Sequence, residues 1–135
     1  MRILLDTHMV IWVLTNDPHL SDPVREMIAS PDNQVCFSTV SLWEIAIKNQ
    51  KRPDKCPYHE KTVMEYCIES GFEPVNILPS HVLAIRELRI RPNRELCNLD
   101  PFDRLLVAQA RVENCLFLTH DRNLENYQEN CIYVC

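Results

Sequence analysis

Short apolar runs alternate along the whole chain with longer segments whose apolar residues recur at helical spacing. The short runs are typical of buried β-strands, and the longer segments are typical of amphipathic helices. This alternation constrains the fold most strongly, because strands separated by helices predict an α/β domain with a mostly parallel sheet. The candidate strands are Arg2–Asp6, Gln34–Ser38, Phe72–Ile77, Cys115–Thr119 and Cys131–Val134.

The segments between the candidate strands carry signals for the starts and ends of helices. Ser41 and Glu44 match the S-x-x-E capping box, in which the glutamate reaches back to the backbone N–H of the cap residue. The predicted helices are Thr7–Thr15, a helix opened by Ser21-Asp22-Pro23, a helix starting near Ser41, Glu60–Ser70 ending at Gly71, a helix capped by Ser80 that ends before Arg91-Pro92, and a helix starting at Asp100-Pro101.

The length of 135 residues predicts a single domain that spans residues 1–135. No apolar run approaches the roughly 18 residues that would cross a bilayer, and Asp6 brings a charge too early for a signal peptide. We therefore expect a cytoplasmic protein with no membrane partner. The seven cysteines are an odd number and are expected to be buried apolar residues rather than a disulfide framework.

The single glycine of the chain, Gly71, excludes two large classes of nucleotide-binding protein. The dinucleotide-binding fingerprint and the Walker loop both need several glycines, because their backbones must approach phosphate groups closely. Neither loop can be built from this sequence.

Four carboxylates stand where an apolar run gives way to a helix start: Asp6, Glu44, Asp103 and Asp121. Each has a local explanation, because a carboxylate at a helix start accepts backbone N–H groups and is stabilised by the helix dipole. Asp6, Asp100 and Asp121 fit the role of a simple cap, and Glu44 fits the capping box. Taken singly, each residue leaves that explanation open.

The four acids share one position in the predicted sheet. Residues that follow parallel strands lie outside the carboxyl ends of those strands, at the same edge of the sheet. Like charges that meet there raise one another's pKa and oppose folding. A divalent cation offsets the repulsion and keeps the carboxylates ionised, and an all-oxygen donor set favours Mg²⁺ or Mn²⁺ over zinc or copper. The sequence therefore predicts a Mg²⁺ or Mn²⁺ site at this edge.

At these residues the sequence resembles the PIN-domain nucleases, and most closely the VapC-type toxin ribonucleases of type II toxin–antitoxin pairs. The matching stretches span nearly the whole chain in the family's order, and the third is the longest and most specific. They are Leu4-Leu5-Asp6-Thr7-His8, Ser41-Leu42-Trp43-Glu44-Ile45, Asp100-Pro101-Phe102-Asp103-Arg104-Leu105-Leu106-Val107-Ala108-Gln109-Ala110 and Leu118-Thr119-His120-Asp121.

The resemblance implies a PIN-like three-layer α/β/α fold whose central five-stranded parallel sheet has the order 3-2-1-4-5. It also implies Mg²⁺- or Mn²⁺-dependent hydrolysis of RNA. Family members commonly dimerise and are silenced by an antitoxin, so the implied partners are RNA, a cognate antitoxin protein and a second copy of the chain. The implied catalytic residues are Asp6, Glu44, Asp103 and Asp121, and the implied metal ligands are these four together with Asp100.

Such a site needs no serine, cysteine or histidine nucleophile, because a cation activates water and neutralises charge on the phosphate. We expect Asp6 to be the central ligand and Asp103 and Asp121 to complete the metal shell. Glu44 either binds the cation or acts as the general base. The candidates for contacts to these ligands or to RNA are Thr7, His8, Arg104, Thr119 and His120, although His8, Thr119 and His120 fit local turn formation equally well.

The formal net charge of −5 is unfavourable for an RNA enzyme, whose affinity comes largely from cationic contacts to phosphates. Two basic clusters flank the acidic motifs, and their charges either contact RNA or only solvate the surface. Trp12 and Trp43 occupy apolar helical patterns and are expected to fill the core. The clusters are Lys48, Lys51, Arg52 and Lys55, and Arg86, Arg89, Arg91 and Arg94.

Two features depart from the family's pattern. The cysteine count is unusual for such toxins, and Arg94–Leu99 replaces a basic residue that often precedes the third stretch.

Two other functions compete with the ribonuclease. A catalytically inactive PIN-fold protein that acts as a binding or dimerisation module is one alternative, although the intact acidic set favours the enzyme. A different phosphoryl-transfer enzyme would need a second acid closely following Asp6, and Thr7-His8 supplies none.

Overall fold

A computed structural model describes residues 1–92 and 99–135 and contains one five-stranded sheet. The order across the sheet is β3-β2-β1-β4-β5, and all four neighbouring pairs are parallel. Both the order and the parallel pairing confirm the predicted fold. The strands are β1 (Arg2–Leu5), β2 (Gln34–Ser38), β3 (Glu73–Val75), β4 (Leu116–Thr119) and β5 (Ile132–Val134).

Six α-helices lie in the described part of the chain, and none is long and apolar enough to cross a membrane. The described residues also contain two short 3-10 turns, Ile85–Glu87 and Arg122–Asn126. The helices are α1 (Thr7–Thr15), α2 (Asp22–Ala29), α3 (Thr39–Lys51), α4 (Glu60–Glu69), α5 (Pro79–Ala84) and α6 (Pro101–Val112).

The central strand β1 contributes to a separate apolar core on each face of the sheet. Ile3 and Leu5 join the core formed with α1, α2 and α4, whereas Leu4 joins the core formed with α5 and α6. Successive residues of a strand point to opposite faces, so the alternation along β1 separates the two cores. The result is the expected three-layer arrangement, with helices on both faces of the sheet.

The cysteines of the two cores behave as small apolar residues. Cys36, Cys67 and Cys115 are buried, as the sequence predicts. All six cysteines in the described residues are free thiols. The seventh, Cys97, lies in the segment 93–98, outside the described residues, as does most of the Arg94–Leu99 departure.

The start of α3 differs from the prediction, and the capping box at Ser41 is wrong. Helix α3 begins at Thr39, and Ser38 is its N-cap, with Oγ accepting the N–H of Val40 at 3.0 Å. Because the strand β2 ends at Ser38 and the helix begins at once, Ser41 already lies inside the first turn. Glu44 is therefore one turn too far along the helix to reach back as a capping residue.

The fifth helix is shorter than predicted and is not capped by Ser80. Leu78 is its N-cap residue and Pro79 is its first residue, which suits proline because its fixed φ fits the first turn of a helix. His81 folds back, and its Nδ1 accepts the N–H of Leu78 at 3.0 Å. The α-helix ends at Ala84 and continues as a 3-10 turn to Glu87, so it ends well before Arg91.

We expect Ser38→Ala to lower the free energy of unfolding by about 2–4 kcal/mol, because the change removes the cap of α3 and leaves a buried acceptor unpaired. The Ser38 hydroxyl also donates to Oε1 of Gln109, and both residues are fully buried. Ser41→Ala is the matched control and should cost about 1 kcal/mol. Urea denaturation of both variants tests this; equal losses would contradict the assignment of Ser38 as the cap.

Candidate active site

Four of the five predicted site carboxylates lie at the starts of helices or turns, and Glu44 lies one turn further along its helix. Because all strands of the sheet are parallel, their carboxyl ends meet at one edge. Asp6 directly follows β1, Asp121 follows β4 by one residue, and Glu44 stands in the second turn of α3, the helix that follows β2. Asp100 and Asp103 lie at the start of α6. We call Asp6, Glu44, Asp100, Asp103 and Asp121 the acidic edge.

Asp6 is buried and is held by hydrogen bonds to both of its carboxylate oxygens. Asp6 is 3% exposed. Its Oδ1 accepts the backbone N–H of Thr7 at 2.7 Å, so Asp6 is the N-cap of α1. Oδ2 accepts the hydroxyl of Thr119 at 2.6 Å. The cap predicted for Asp6 is therefore present, and it coexists with a position at the acidic edge.

Glu44 is 6% exposed and is linked to Asp6 through Thr7. The Thr7 hydroxyl donates to Oε1 of Glu44 at 2.6 Å and lies 3.0 Å from the hydroxyl oxygen of Ser41. Oε2 accepts from the ammonium group of Lys48 at 2.5 Å. The buried charge of Glu44 thus has a cationic partner one helical turn away.

Thr119 connects Asp6 with Asp121. Its hydroxyl donates to Asp6, and the same oxygen accepts the N–H of Asp121 at 3.1 Å. Oδ1 of Asp121 accepts the N–H of Asn123 at 2.9 Å, so Asp121 caps the 3-10 turn that follows. One buried threonine therefore links the carboxylate of Asp6 to the backbone of Asp121, far away along the chain.

Asp100 and Asp103 have different roles at the start of α6. Asp100 is exposed, and its Oδ1 accepts the N–H groups of Phe102 at 2.8 Å and Asp103 at 3.1 Å, as expected for a cap followed by Pro101. Asp103 is partly buried in the first turn of α6. Burial raises the pKa of the Asp103 carboxyl to about 8, and the negative charges of the other acidic-edge residues act in the same direction.

Burial is the largest cause of the raised pKa of Asp103, and each of the other four members of the acidic edge adds to it through its negative charge. Burial also raises the pKa of Asp6, partly offset by His8 and by the hydrogen bonds from Thr119 and Thr7. In a low-dielectric pocket, ionised carboxylates oppose one another and favour protonation. The acidic edge therefore lacks positive charge for the number of carboxylates it holds.

His8 lies against Asp6 on the side of α1. Its Nδ1 is 3.6 Å from Oδ2 of Asp6, and its Nε2 accepts the backbone N–H of His120 at 3.1 Å. Burial lowers the pKa of the His8 imidazole. Since Nε2 is an acceptor, the proton of the neutral ring is on Nδ1, on the side of the Asp6 carboxylate.

The donor set of the acidic edge fits a hard divalent cation, because it consists of carboxylate oxygens. Within residues 1–92 and 99–135, however, no group of three His, Cys, Asp or Glu side chains is placed to hold a metal ion. Thr7 and Thr119 donate to the carboxylates of Glu44 and Asp6, and Lys48 supplies a positive charge to Glu44.

The basic residues that flank the acidic motifs have different surroundings in the structure. Lys48 reaches the acidic edge, whereas Arg52 pairs with Asp54 at 3.0 Å and Arg89 lies 3.6 Å from Glu129. Arg104 is partly buried next to Asp103, and its Nε has no hydrogen-bond partner among the described residues. Arg94 belongs to the segment outside the described residues.

Two features of the site were not anticipated from the sequence. The pairing of Lys48 with Glu44 was missed, although their i,i+4 spacing on one helix is a signal for such a pair. The prediction that Trp43 fills the core is wrong, since Trp43 is 53% exposed. Its ring meets Phe102 edge to face with centroids 4.8 Å apart, beside Glu44 and Asp103. Trp12 of α1, in contrast, is partly buried and packs against the apolar core that contains Ile3 and Leu5.

Comparison with solved structures finds similar folds in toxin–antitoxin complexes. A chain of VapBC2 from Rickettsia felis bound to a promoter DNA fragment matches with a TM-score of 0.70 and 17% identity over 99% of this chain and 98% of that chain. A chain of DNA-bound VapBC from Salmonella typhimurium matches with a TM-score of 0.67 and 20% identity, again over 99% and 98%. VapBC-1 from nontypeable Haemophilus influenzae gives 0.56 and 13% over 93% and 90%.

Comparison with families of known proteins gives one assignment. A search of curated proteins finds no significant match. The family model described as the PIN domain matches residues 3–130, which include all of the acidic edge. The chain therefore belongs to the PIN domain family.

Proposed function

We propose that the protein is a Mg²⁺- or Mn²⁺-dependent endoribonuclease that hydrolyses RNA phosphodiester bonds. The observation that carries this proposal is the acidic edge itself. Buried Asp6 and Glu44 are joined through Thr7, and they lie near Asp103, whose pKa is raised by burial and by the charges around it. A structural cap does not require this accumulation of carboxylates, whereas a cation-binding site does.

Asp6, Asp103 and Asp121 would hold the cation, with Glu44 either as a further ligand or as the general base. When bound, the cation would lower the pKa of water and neutralise charge on the phosphate oxygens. Asp100 is a weaker candidate for a ligand, because one of its oxygens is already used to cap α6. No histidine or cysteine is required as a nucleophile.

The remaining residues of the site orient the carboxylates. Thr119 fixes the Asp6 carboxylate relative to the backbone of Asp121, and Thr7 fixes Glu44 relative to Asp6. Such outer contacts hold ligands in the geometry that a cation needs. Lys48 neutralises Glu44 in this arrangement, and the remaining lone pairs of the Glu44 carboxylate would be left to bind a cation or accept a proton.

The proposed physiological role is the toxin of a type II toxin–antitoxin pair, acting in the cytoplasm. The structural neighbours from Rickettsia felis and Salmonella typhimurium are VapBC complexes, which supports a cognate antitoxin as a partner. A homodimer is proposed on the resemblance to VapC-type toxins.

The direct test is cleavage of a single-stranded RNA by the purified chain. We expect cleavage with Mg²⁺ or Mn²⁺, loss of cleavage in EDTA, and recovery when the divalent cation is added back. Cleavage at the same rate in EDTA would contradict the proposed chemistry.

A second candidate function is a catalytically inactive PIN-fold binding module. Two observations favour it: Lys48 is already paired with Glu44, and no three ligating side chains in the described residues are placed to hold a metal ion. Titration calorimetry with Mn²⁺, together with the cleavage assay, separates the two functions. The enzyme binds the cation and cleaves RNA, whereas an inactive module shows no RNA cleavage at any Mn²⁺ concentration.

We expect Thr119→Val to reduce the cleavage rate by about 10–100-fold, the usual cost of losing a contact to a metal ligand. Valine has nearly the same shape, but it neither donates to Asp6 nor accepts from Asp121. Thr15→Val is the matched control, because it removes an exposed hydroxyl that donates to the carbonyl of Ile11 at the end of α1. A wild-type rate in Thr119→Val, measured alongside the control, would remove Thr119 from the site.

A further inference from the structure

Trp43 is a large aromatic residue left in solvent beside the acidic edge. It is 53% exposed, although α3 buries its neighbours Val40, Glu44 and Ile45 against the rest of the protein. Exposure of this much apolar surface at a single tryptophan gives no stability to the isolated chain. The ring is therefore available for a contact that the chain itself does not make.

Phe102 holds the ring of Trp43 in place from the neighbouring helix. The two rings meet edge to face, with centroids 4.8 Å apart and planes inclined at 73°. Trp43 directly precedes Glu44 on α3, and Phe102 directly precedes Asp103 on α6. The aromatic pair consequently bridges the two helices that carry these acids, on the rim of the proposed cleavage site.

The negative net charge of the protein favours a substrate contact that does not depend on positive charge. The formal net charge is −5, and a cluster of carboxylates repels the phosphates of RNA. Of the basic residues flanking the motifs, Lys48 is already paired with Glu44. Stacking of a base on an aromatic ring supplies affinity without positive charge and tolerates any base, because every base has a π-face.

We propose that Trp43, supported by Phe102, is a stacking platform for one base of a single-stranded RNA whose adjoining phosphate lies over the acidic edge. The inference rests on the proposed function, since it takes RNA as the substrate. It assigns Trp43 to substrate binding rather than to the chemical step. A stacked base would fix the register of the strand relative to Asp6 and Asp103 without contact to either carboxylate.

The test measures binding in the absence of turnover. Affinity for a fluorescein-labelled single-stranded RNA of about 12 nucleotides, within the range of single-strand sites, is measured by anisotropy in EDTA. We expect Trp43→Ala to weaken binding by about 5- to 150-fold, as for the loss of one stacked base. Trp43→Phe should retain most of the affinity, whereas Trp43→Leu should not, because leucine is apolar but has no ring.

Tyr66→Ala is the matched control. Tyr66 is 56% exposed on α4, so its replacement removes a comparable exposed aromatic ring away from the acidic edge and should leave the Kd unchanged. Thermal unfolding of each variant checks that the fold is kept. The dependence of Kd on salt should be the same in the wild type and Trp43→Ala, because no charge is removed.

A series of RNAs, each with one abasic nucleotide, locates the stacked base. At one position the abasic change should weaken binding to the wild type and have no further effect on Trp43→Ala. Equal Kd values for the wild type and Trp43→Ala, wild-type affinity in Trp43→Leu, or no detectable binding by the wild type would overturn the proposal. A change of oligomeric state in Trp43→Ala with unchanged Kd would also overturn it and assign the ring to an interface between copies.

The outcome is separable from that of the proposed function, because binding in EDTA does not depend on cleavage. Loss of RNA cleavage in Asp6→Asn together with a normal Kd in Trp43→Ala would support the ribonuclease and reject the platform. The opposite pair of results would keep the platform and reject the proposed chemistry.

Discussion

Asp6→Asn is expected to reduce Mg²⁺- or Mn²⁺-dependent RNA cleavage by on the order of 10³-fold or more, since even an outer contact to a metal ligand is worth about 10–100-fold. Asp6 is the most buried carboxylate of the acidic edge, and both of its oxygens accept hydrogen bonds, from Thr7 and from Thr119. Asparagine keeps the shape of the side chain but removes the negative charge that a cation would neutralise. Initial rates with a labelled RNA measure the effect.

The fold should survive Asp6→Asn. The amide oxygen still accepts the N–H of Thr7, and the Thr119 hydroxyl can accept from the new amide group instead of donating to a carboxylate. Burial already raises the pKa of Asp6, so the loss of its charge relieves an unfavourable desolvation. If Asp6→Asn does not fold, the cleavage rate of Thr119→Val tests the site instead. A folded Asp6→Asn variant with wild-type activity would contradict the proposed role of Asp6.

A second large effect is expected in the pH dependence of stability without a divalent cation. The folded state raises the pKa of Asp103 from 3.8 to about 8, so between these values the folded chain binds a proton that the unfolded chain has released. The free energy of unfolding must then fall as pH rises through this window, with a slope of at most about 1.4 kcal/mol per pH unit from this group. Below pH 3.8 both states are protonated, and above about pH 8 the loss is complete.

Asp103→Asn isolates this contribution. The asparagine side chain has no carboxyl to ionise, so the variant should become more stable than the wild type as pH rises, with the margin reaching its full size above the raised pKa of about 8. The comparison is needed because His8 has the opposite effect on the pH dependence. Burial lowers the pKa of His8, so its contribution makes the folded protein less stable as pH falls. Asp32→Asn, at the opposite end of β2, is the control for the change in net charge.

Divalent cations should reverse the difference between the wild type and Asp103→Asn. A cation that binds the folded site favours the ionised carboxylate and stabilises the wild type by linkage. Urea denaturation across the pH range, with EDTA and with Mg²⁺, measures both effects. Parallel curves for the wild type and Asp103→Asn in EDTA would contradict the raised pKa of Asp103 in the folded state.

The candidate site was largely accessible from the sequence because its residues follow recognisable local signals. Asp6, Asp100 and Asp121 do cap the elements that the sequence assigned to them, and each strand lies within a residue or two of its predicted position. The exceptions were decided by where an element meets its neighbour. At Ser38 the strand passes directly into α3, so the cap lies three residues before the serine that the S-x-x-E pattern indicated.

By itself the sequence determined which segments become strands and helices and which acids stand at their junctions, because the backbone preferences and capping of these segments depend on residues only a few positions apart. The tertiary structure alone decided the exposure of Trp43, the link from Asp6 to Asp121 through Thr119 and the raised pKa of Asp103. Burial and electrostatic interaction are sums over all groups that surround a side chain, including groups that are more than a hundred residues away along the chain. These quantities exist only once the sheet has brought its strand ends together.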